Sequence, residues 1–598
     1  MTLYDQGLLD ISENKEQASA LATTSNTLLL AGPGSGKTKV LVHKVAKTLR
    51  EVLKKPRQVA CITYSTECAA EIEDRLDRID ANDPDSLFIG TVHSFFFKWI
   101  VIPFGSRIGI SPHIRVATKK ERDQHFSEAV ANVISVDEEP AKWTTHCDNY
   151  RKDKWERKSD WKTEDSKAAN VVEDYERRLQ EKNLIDFDGM VVLSLQLLHR
   201  DDSICKFLEA RFPFIYIDEY QDLGSPLHAL VLRLLKKTDI VFFLVGDPDQ
   251  SIYGFSGAHP ELLKEIRDLP SFVTIIPKIN YRCPAKIVNV SIAALGEARD
   301  YRASSKIPGS IQAHHVVSGI EGQAKILATK ILPEYLSRNP GMQLGDIGVL
   351  YRTKDIGDVL ASAFRTYNIR CIRTDKGVPY ARVPITRFTE ELAGYCANPD
   401  ARVLLKIRKR FHRLHYINGN PIDPRLLTSF TAWCLDARGK GHARLADWLG
   451  ELKDGPLKHL LEAAESADHR EGFSSLEGAA VKELANASIQ SFGFHRGSEL
   501  HATLTTLHSA KGLEFDMVAM VGMDEGSLPN YYERKDQKKL EEARRLFYVG
   551  VTRSINELHF LYSGFFKNKW NKIYRNGPSK FMTDLGEVFD VADIIDGK

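Results

Sequence analysis

The chain has 598 residues, 82 Lys+Arg against 80 Asp+Glu, and a formal net charge of +2. At about 100–200 residues per domain it is too long for one hydrophobic core and implies three to five domains. Balanced charge excludes a globally basic polyelectrolyte, so a nucleic-acid surface has to be local, and no apolar run approaches the ~20 residues that span a bilayer.

In chain order, the apolar run Thr27–Leu30 predicts a buried strand, followed by the turn Ala31-Gly32-Pro33-Gly34-Ser35-Gly36-Lys37-Thr38 and an amphipathic helix. Further buried strands are expected at Gln58–Thr63, Phe214–Asp218, Ile240–Gly246, Ile347–Arg352, Met517–Gly522 and Leu558–Tyr562. Strands alternating with helical patterns argue for α/β folding with parallel sheets. Residues 115–185 and 377–498 break that rhythm, show no strand alternation and read as two mainly helical insertions. The eight cysteines include no C-x-x-C pair, which suits a reducing cytosol. Residues 1–17 are mixed and acidic, unlike a signal peptide. A cytoplasmic protein with no membrane partner is expected.

The glycine turn carries the first chemistry. Glycines let backbone N–H groups converge on a polyphosphate, and the following helix N-terminus adds positive potential. Lys37 is placed to reach the β/γ-phosphates and the Thr38 hydroxyl to bind Mg²⁺. Ala31 stands where the pattern G-x-x-x-x-G-K-[ST] begins with glycine. The strand Pro213–Ile217 runs into Asp218-Glu219-Tyr220-Gln221-Asp222. Paired carboxylates at a strand end suit a second Mg²⁺ element, Asp218 holding the cation shell and Glu219 orienting and deprotonating the attacking water.

A colinear series of segments from Gln17 to Arg553 resembles superfamily 1A helicases of the UvrD/Rep/PcrA type. Asn14-Lys15-Glu16-Gln17 resembles the adenine-reading segment, Thr63-Tyr64-Ser65-Thr66 motif Ia, and Gly90-Thr91-Val92-His93-Ser94-Phe95 the next DNA-contacting segment. Residues Gly246 to Phe255 resemble motif III, and Asn280-Tyr281-Arg282 resembles motif IV. Leu507 to Phe515 closely match motif V, and Arg544 to Arg553 motif VI. The resemblance implies two RecA-like P-loop NTPase cores, residues 1–114 plus 186–279 and residues 280–376 plus 499–598, with helical insertions at 115–185 and 377–498.

The same resemblance implies roles. Gln17 reads the adenine edge, Tyr281 stacks on the base and Glu514 bonds the ribose. Gln250 senses the γ-phosphate and links it to the DNA site. Arg282 and Arg553 act as arginine fingers from the second core, so that ATP lies between two lobes and hydrolysis follows their closure. Thr63, Tyr64, Thr91, His93, Tyr253, Phe255 and His508 are the expected DNA contacts, the aromatics as base-stacking platforms. Two basic–aromatic runs outside the motifs, Arg151–Lys158 and Lys406–Arg413, are further candidates for gripping duplex phosphates.

The chain departs from the family at Thr66-Glu67, where Asn-Lys is usual, and at Ser256, where Arg is usual. Its second insertion and C-terminal tail look short. The favoured expectation is an ATP- and Mg²⁺-dependent helicase moving 3′→5′ on single-stranded DNA and acting on duplex DNA. The alternative is a DNA-sensing ATPase subunit that licenses a partner nuclease, as in phage-defence systems of the Gabija kind.

Overall fold

The computed structural model describes residues 1–593 apart from 84, 159, 253, 255–259, 417–421, 463–466, 495–499, 568–571 and 587–589. The chain forms two compact units. One comprises Met1–Val288, Glu297–Lys306 and Glu541–Tyr548, the other Asn289–Gly296, Ile307–Leu540 and Val549–Lys598.

The first unit is built on a six-stranded sheet of β1 (Thr27–Leu30), β2 (Val59–Thr63), β3 (Leu87–Thr91), β4 (Phe214–Ile217), β5 (Val241–Gly246) and β6 (Val273–Ile275). Their spatial order is β3-β2-β4-β5-β1-β6, and every pairing is parallel. Successive side chains on a strand leave opposite faces, and here both faces are covered. Leu28, Ala60, Ile62, Ile215, Ile217, Phe242 and Leu244 join one core with Leu195, Leu198, Leu230 and Leu234. Their chain neighbours Leu29, Val59, Cys61, Tyr216, Phe243 and Val245 join a second core with Val40, Leu41 and Val45. This explains why these strands read as continuous apolar runs.

Four helices, Lys119–Val133, Ala141–Asp153, Trp161–Glu164 and Ser166–Glu181, follow β3 and share a core of Phe126, Val130, Tyr150, Trp161, Val171 and Tyr175. A short parallel pair, Arg115–Val116 with Leu184–Ile185, closes their base, which corrects the expectation of no strand there. An ionic anchor lies beside it. Arg151, only 4% exposed, donates to both Asp186 oxygens at 2.9 and 2.8 Å and to Glu176 Oε1 at 2.6 Å. Asp186 also accepts from Tyr175 Oη at 3.0 Å and caps the helix Phe187–Arg200 through Gly189 N at 2.8 Å. Burial works to raise the Asp186 carboxyl, but the Arg151 charge and the hydrogen bonds hold it below the ordinary value.

The second unit carries a seven-stranded sheet of β7 (Ser310–His315), β8 (Ile347–Tyr351), β9 (Cys371–Arg373), β10 (Ala502–Thr506), β11 (Phe515–Val521), β12 (Ser554–Tyr562) and β13 (Asp590–Asp593). It is parallel throughout, in the order β9-β10-β8-β11-β12-β7-β13. Between β9 and β10 the described residues from Pro384 to Gly493 are mainly helical, with their own core of Phe388, Phe411, Phe430, Trp448 and Phe473.

Removing one member of a buried ion pair strands the other charge, at about 3–5 kcal/mol. Arg151→Ala is expected to lower the unfolding free energy of the first unit in urea by that order, with earlier proteolytic cleavage across residues 115–186, while Lys158→Ala, at the exposed end of the same run, leaves both unchanged.

Candidate nucleotide-binding site

Because the first sheet is parallel, the C-terminal ends of its strands share one edge, where ligands of open α/β sheets bind. β1 ends in the glycine turn, β4 in Asp218-Glu219 and β5 in Asp247–Gln250, and these three strands are neighbours. β2 and β3, beyond β4, end at Thr63-Tyr64 and Thr91–His93. The strand order thus separates the phosphate-type residues from the candidate DNA contacts.

The turn needs its glycines. Gly34 and Gly36 have φ of +71° and +82°, a region side chains avoid. A Cβ on Gly34 would fall 2.5 Å from Asn280 Oδ1, and one on Gly36 would fall 2.6 Å from Gln17 Nε2. No side chain caps the helix Lys37–Lys47, so its first N–H groups are left for a ligand. Gln17 is buried, and its Nε2 donates to Ser35 O at 2.7 Å, bracing the turn from the flank.

Lys37 is the centre of the site. Its side chain is 11% exposed, its Nζ has no hydrogen-bond partner, and Asp247 Oδ2 lies 4.0 Å away. Burial, reinforced by Glu219 and opposed by Lys37, pushes the Asp218 carboxyl up to about 7. Burial, opposed by Lys37 and reinforced by Asp249, pushes Asp247 to about 6. An ammonium without a hydrogen bond, beside carboxyls that burial drives toward protonation, fits a triphosphate with a divalent cation. Thr38, at the first turn of the helix, and Asp218 are the donors available to hold the cation. Glu219 adopts φ +52°, a strained value for a non-glycine residue, and accepts a hydrogen bond from Gln221. Gln221 Oε1 takes Asp247 N at 2.9 Å, and Gln250 Nε2 donates to Asp247 Oδ2 at 2.5 Å. Gln221 thus joins the turn after β4, which carries Glu219, to the turn after β5, which carries Asp247 and Gln250.

The segment Asn280–Arg282, expected to open the second core, packs with the first unit. Asn280 Nδ2 donates to Pro33 O at 2.9 Å, and Tyr281 N to Gly34 O at 2.7 Å. Tyr281 Oη accepts from Asn14 Nδ2 at 2.9 Å. These bonds tie the segment to the glycine turn and to the helix that carries Gln17, so Arg282 is placed with the phosphate loop. In the second unit Arg553 is 2% exposed and donates to Val549 O, Leu513 O and Thr552 Oγ1 at 2.9, 3.1 and 3.0 Å. Glu514 is exposed on the turn leading into β11.

Among the candidate DNA contacts, Thr63 is fully buried and its hydroxyl donates to Ser65 O at 2.8 Å. That removes its side chain from the accessible set. Tyr64 is half-buried against the core. Thr91 caps the helix Val92–Phe96. His93 packs edge-on to Phe187 at 5.4 Å, and burial lowers its pKa. His508 is lowered to about 4 by burial and by Arg352, 3.3 Å away. Tyr253 and Phe255 lie outside the described residues. In the two basic–aromatic runs Arg151 is in the buried anchor and Phe411 is in the helical core, Arg157 pairs with Glu176 and Arg410 with Glu391, and Lys158, Lys409 and His412 are exposed.

Family comparison agrees with this geometry. A model of the UvrD/REP helicase N-terminal domain matches residues 12–270, and one of the UvrD-like helicase C-terminal domain matches residues 457–564. The chain belongs to the UvrD-like helicase family. Relatives include proteins named ATP-dependent DNA helicase PcrA. That of Staphylococcus epidermidis is 25% identical over 656 aligned positions, covering 96% of this chain and 86% of the relative. That of Leuconostoc citreum is 25% identical, covering 97% and 85%. That of Staphylococcus aureus is 24% identical, covering 96% and 86%.

Two residues of this UvrD-like site escape sequence reasoning. Arg299 makes paired 2.8 Å bonds to both Asp249 oxygens, next to Gln250. The Tyr301 ring lies 2.7 Å from where a Cβ on Gly32 would stand. Both sit in a short charged segment with no motif of its own. Leaving a buried acceptor unpaired costs about 1–3 kcal/mol. Arg299→Ala is expected to destabilise the first unit by that order in chemical denaturation, with Arg299→Lys recovering only part because a single ammonium does not reproduce a bidentate fork.

Proposed function

We propose that this chain is an ATP-dependent DNA helicase that translocates 3′→5′ along single-stranded DNA and separates duplex DNA. The observation that carries the reading is the Lys37 ammonium, buried and without a hydrogen-bond partner at a positive-φ glycine turn, beside Asp218 and Asp247. The relatives' names support DNA as the track, and the polarity rests on family resemblance.

In this reading the turn from Ala31 to Thr38 holds the triphosphate, and Lys37 neutralises its β/γ-phosphates. Thr38 and Asp218 hold Mg²⁺, which supplies charge to the leaving phosphates when bound. Glu219 takes the proton of the attacking water. Gln250, bonded to Asp247 in the turn after β5, reports the γ-phosphate to the ends of β2 and β3. Arg282 and Arg553 stabilise charge on the transferring phosphoryl group, Tyr281 stacks on the base, Gln17 braces the adenine side and Glu514 bonds the ribose. Tyr64, His93, Tyr253, Phe255 and His508 meet the strand. The proposed layout keeps residues 115–185 and 377–498 as helical insertions in two RecA-like cores, with 280–288 assigned to the first core.

The test is strand displacement on 3′-tailed, 5′-tailed and blunt duplexes, with and without ATP. Wild-type protein is expected to displace only from the 3′ tail and only with ATP. Lys37→Ala abolishes hydrolysis and displacement, and Arg553→Ala lowers kcat by about 10³–10⁵ with a smaller change in KM. Displacement by Lys37→Ala would refute the motor. Hydrolysis stimulated by DNA ends without displacement would favour a sensing subunit that works with a partner nuclease.

A further inference from the structure

In the second unit, as in the first, one edge of a parallel sheet collects the strand ends. β10, β8 and β11 are neighbours there and end in Leu507-His508, Arg352-Thr353 and Gly522–Asp524. The loop that follows β11 displays the side-by-side aromatics Tyr531 and Tyr532, 55% and 74% exposed. Their rings meet edge-on at 5.5 Å, and Lys535 Nζ lies 4.3 Å from the Tyr531 ring centre. The run continues with Lys538 and Lys539, both exposed. Lys539 faces Asp536 at 3.8 Å. No carboxylate pairs with Lys535 or Lys538 among the described residues.

The loop is held firmly. Asn530 Oδ1 accepts from Tyr532 N and Glu533 N at 2.9 and 3.1 Å, and Asn530 N donates to Glu533 Oε2 at 2.7 Å. Glu533 Oε1 accepts from Arg352 Nη2 at 2.5 Å, and Arg352 Nη1 reaches His508 at 3.3 Å. Asp524 anchors the loop's root by accepting from Ser563 N and Gly564 N at 2.7 and 2.8 Å. The backbone of Tyr532, next in the chain to Tyr531, thus belongs to one hydrogen-bonded network with His508. Exposed aromatic faces on a hydrogen-bonded loop, flanked by lysines that no carboxylate neutralises, are what a single strand recognises: bases stack and phosphates find cations.

We propose that Tyr531 and Tyr532, with Lys535 and Lys538, form a base-stacking platform for single-stranded DNA at the C-terminal edge of the second sheet. The proposal rests on the helicase reading for its choice of ligand. It adds a contact that no helicase motif in the chain contains, and it differs from the runs at 151–158 and 406–413 in showing its aromatics to solvent.

The test is binding of fluorescein-labelled oligo(dT) to the full chain without nucleotide. Tyr531→Ala/Tyr532→Ala is expected to weaken the Kd about 5- to 150-fold, the range for losing stacking on one base. Tyr531→Phe/Tyr532→Phe binds as wild type, because the faces remain. Lys535→Gln/Lys538→Gln reduces the slope of log K against log salt by about 1.4, at ~0.7 per phosphate contact. Photocrosslinking of iododeoxyuridine-substituted oligo(dT) to the wild type is expected at 531–532, which keeps the proposal testable if a variant misfolds. Unchanged oligo(dT) binding by the folded double alanine variant, or crosslinks confined to other segments, overturns it and would leave the tyrosines as a protein-docking surface. Wild type that binds oligo(dT) through these tyrosines but displaces no strand removes the helicase reading and leaves the platform; wild type that displaces strands alongside an unaffected double alanine variant does the reverse.

Discussion

The first unit is organised around an unbalanced charge. An ammonium held nine-tenths out of water without a hydrogen bond is costly, and Lys37 is in that position. Its surroundings relieve the cost only in part, since the nearby Asp218 and Asp247 are themselves drawn toward protonation by burial. A fold tolerates such a centre when the rest of the sheet over-determines it. Here β1, β4 and β5 are locked in parallel register on both sides, down to Leu30 opposite Gly246 and Ile217 opposite Leu244. The side chains that could have been satisfied internally are instead set at strand ends, where an anionic ligand with its cation would complete them.

The polar turn after β5 shows how that centre is kept in shape. Asp247 is bonded by Gln250 through one oxygen and by Asp249 N through the other, while its own N–H goes to Gln221. Asp249 is clamped by Arg299. Each carboxylate therefore has a fixed orientation, and a change at the phosphate side of Asp247 is felt directly by Gln250. Arg545 Nε, which donates to Ser251 O at 2.8 Å, holds the next residue of the same turn. Coupling of this kind needs a chain of groups with few alternative partners, and buried polar networks supply it.

Strands buried on both faces were legible from sequence because both faces demand apolar residues. All seven expected strands are present, with ends shifted by a few residues. The six strands of the two sheets that reasoning missed are short or carry polar or half-exposed faces: β3 is Leu-Phe-Ile-Gly-Thr with only Leu87 buried, β7 is Ser-Ile-Gln-Ala-His-His, β10 is Ala-Thr-Leu-Thr-Thr, β13 is Asp-Val-Ala-Asp, and β6 and β9 are three-residue strands at the sheet edges. Buried polar pairs explain part of this. His314 stacks on His559 and shares a 2.9 Å hydrogen bond with it, and His559 is bonded in turn to Glu557, so β7 and β12 hold polar side chains that pattern reading assigns to solvent. The glycine turn and Asp218-Glu219 were legible because their chemistry is local in the chain. Arg299, Tyr301 and the association of Asn280 with Pro33 were not, because each is a contact across roughly 50 to 270 residues of chain with no spacing rule to expose it.

The two sheets show how one architecture yields different surfaces. Both are parallel and both gather strand ends at one edge. In the first, β1 gives way to glycines at positive φ and then to an uncapped helix, so the backbone itself becomes the donor set, suited to phosphate oxygens. In the second, the helix Lys354–Thr366 likewise has no side-chain cap, but it follows Arg352-Thr353 with no glycine turn before it, and Gly522 at φ +74° leads into the Asp524-rooted loop. No lysine follows a glycine cradle there, and the donors are the side chains Arg352 and His508. Backbone cradles favour compact, highly charged ligands; spaced side chains with exposed aromatic faces favour extended ones. The difference between the two edges is therefore already present in the residues that follow each strand, before any motion of the protein is considered.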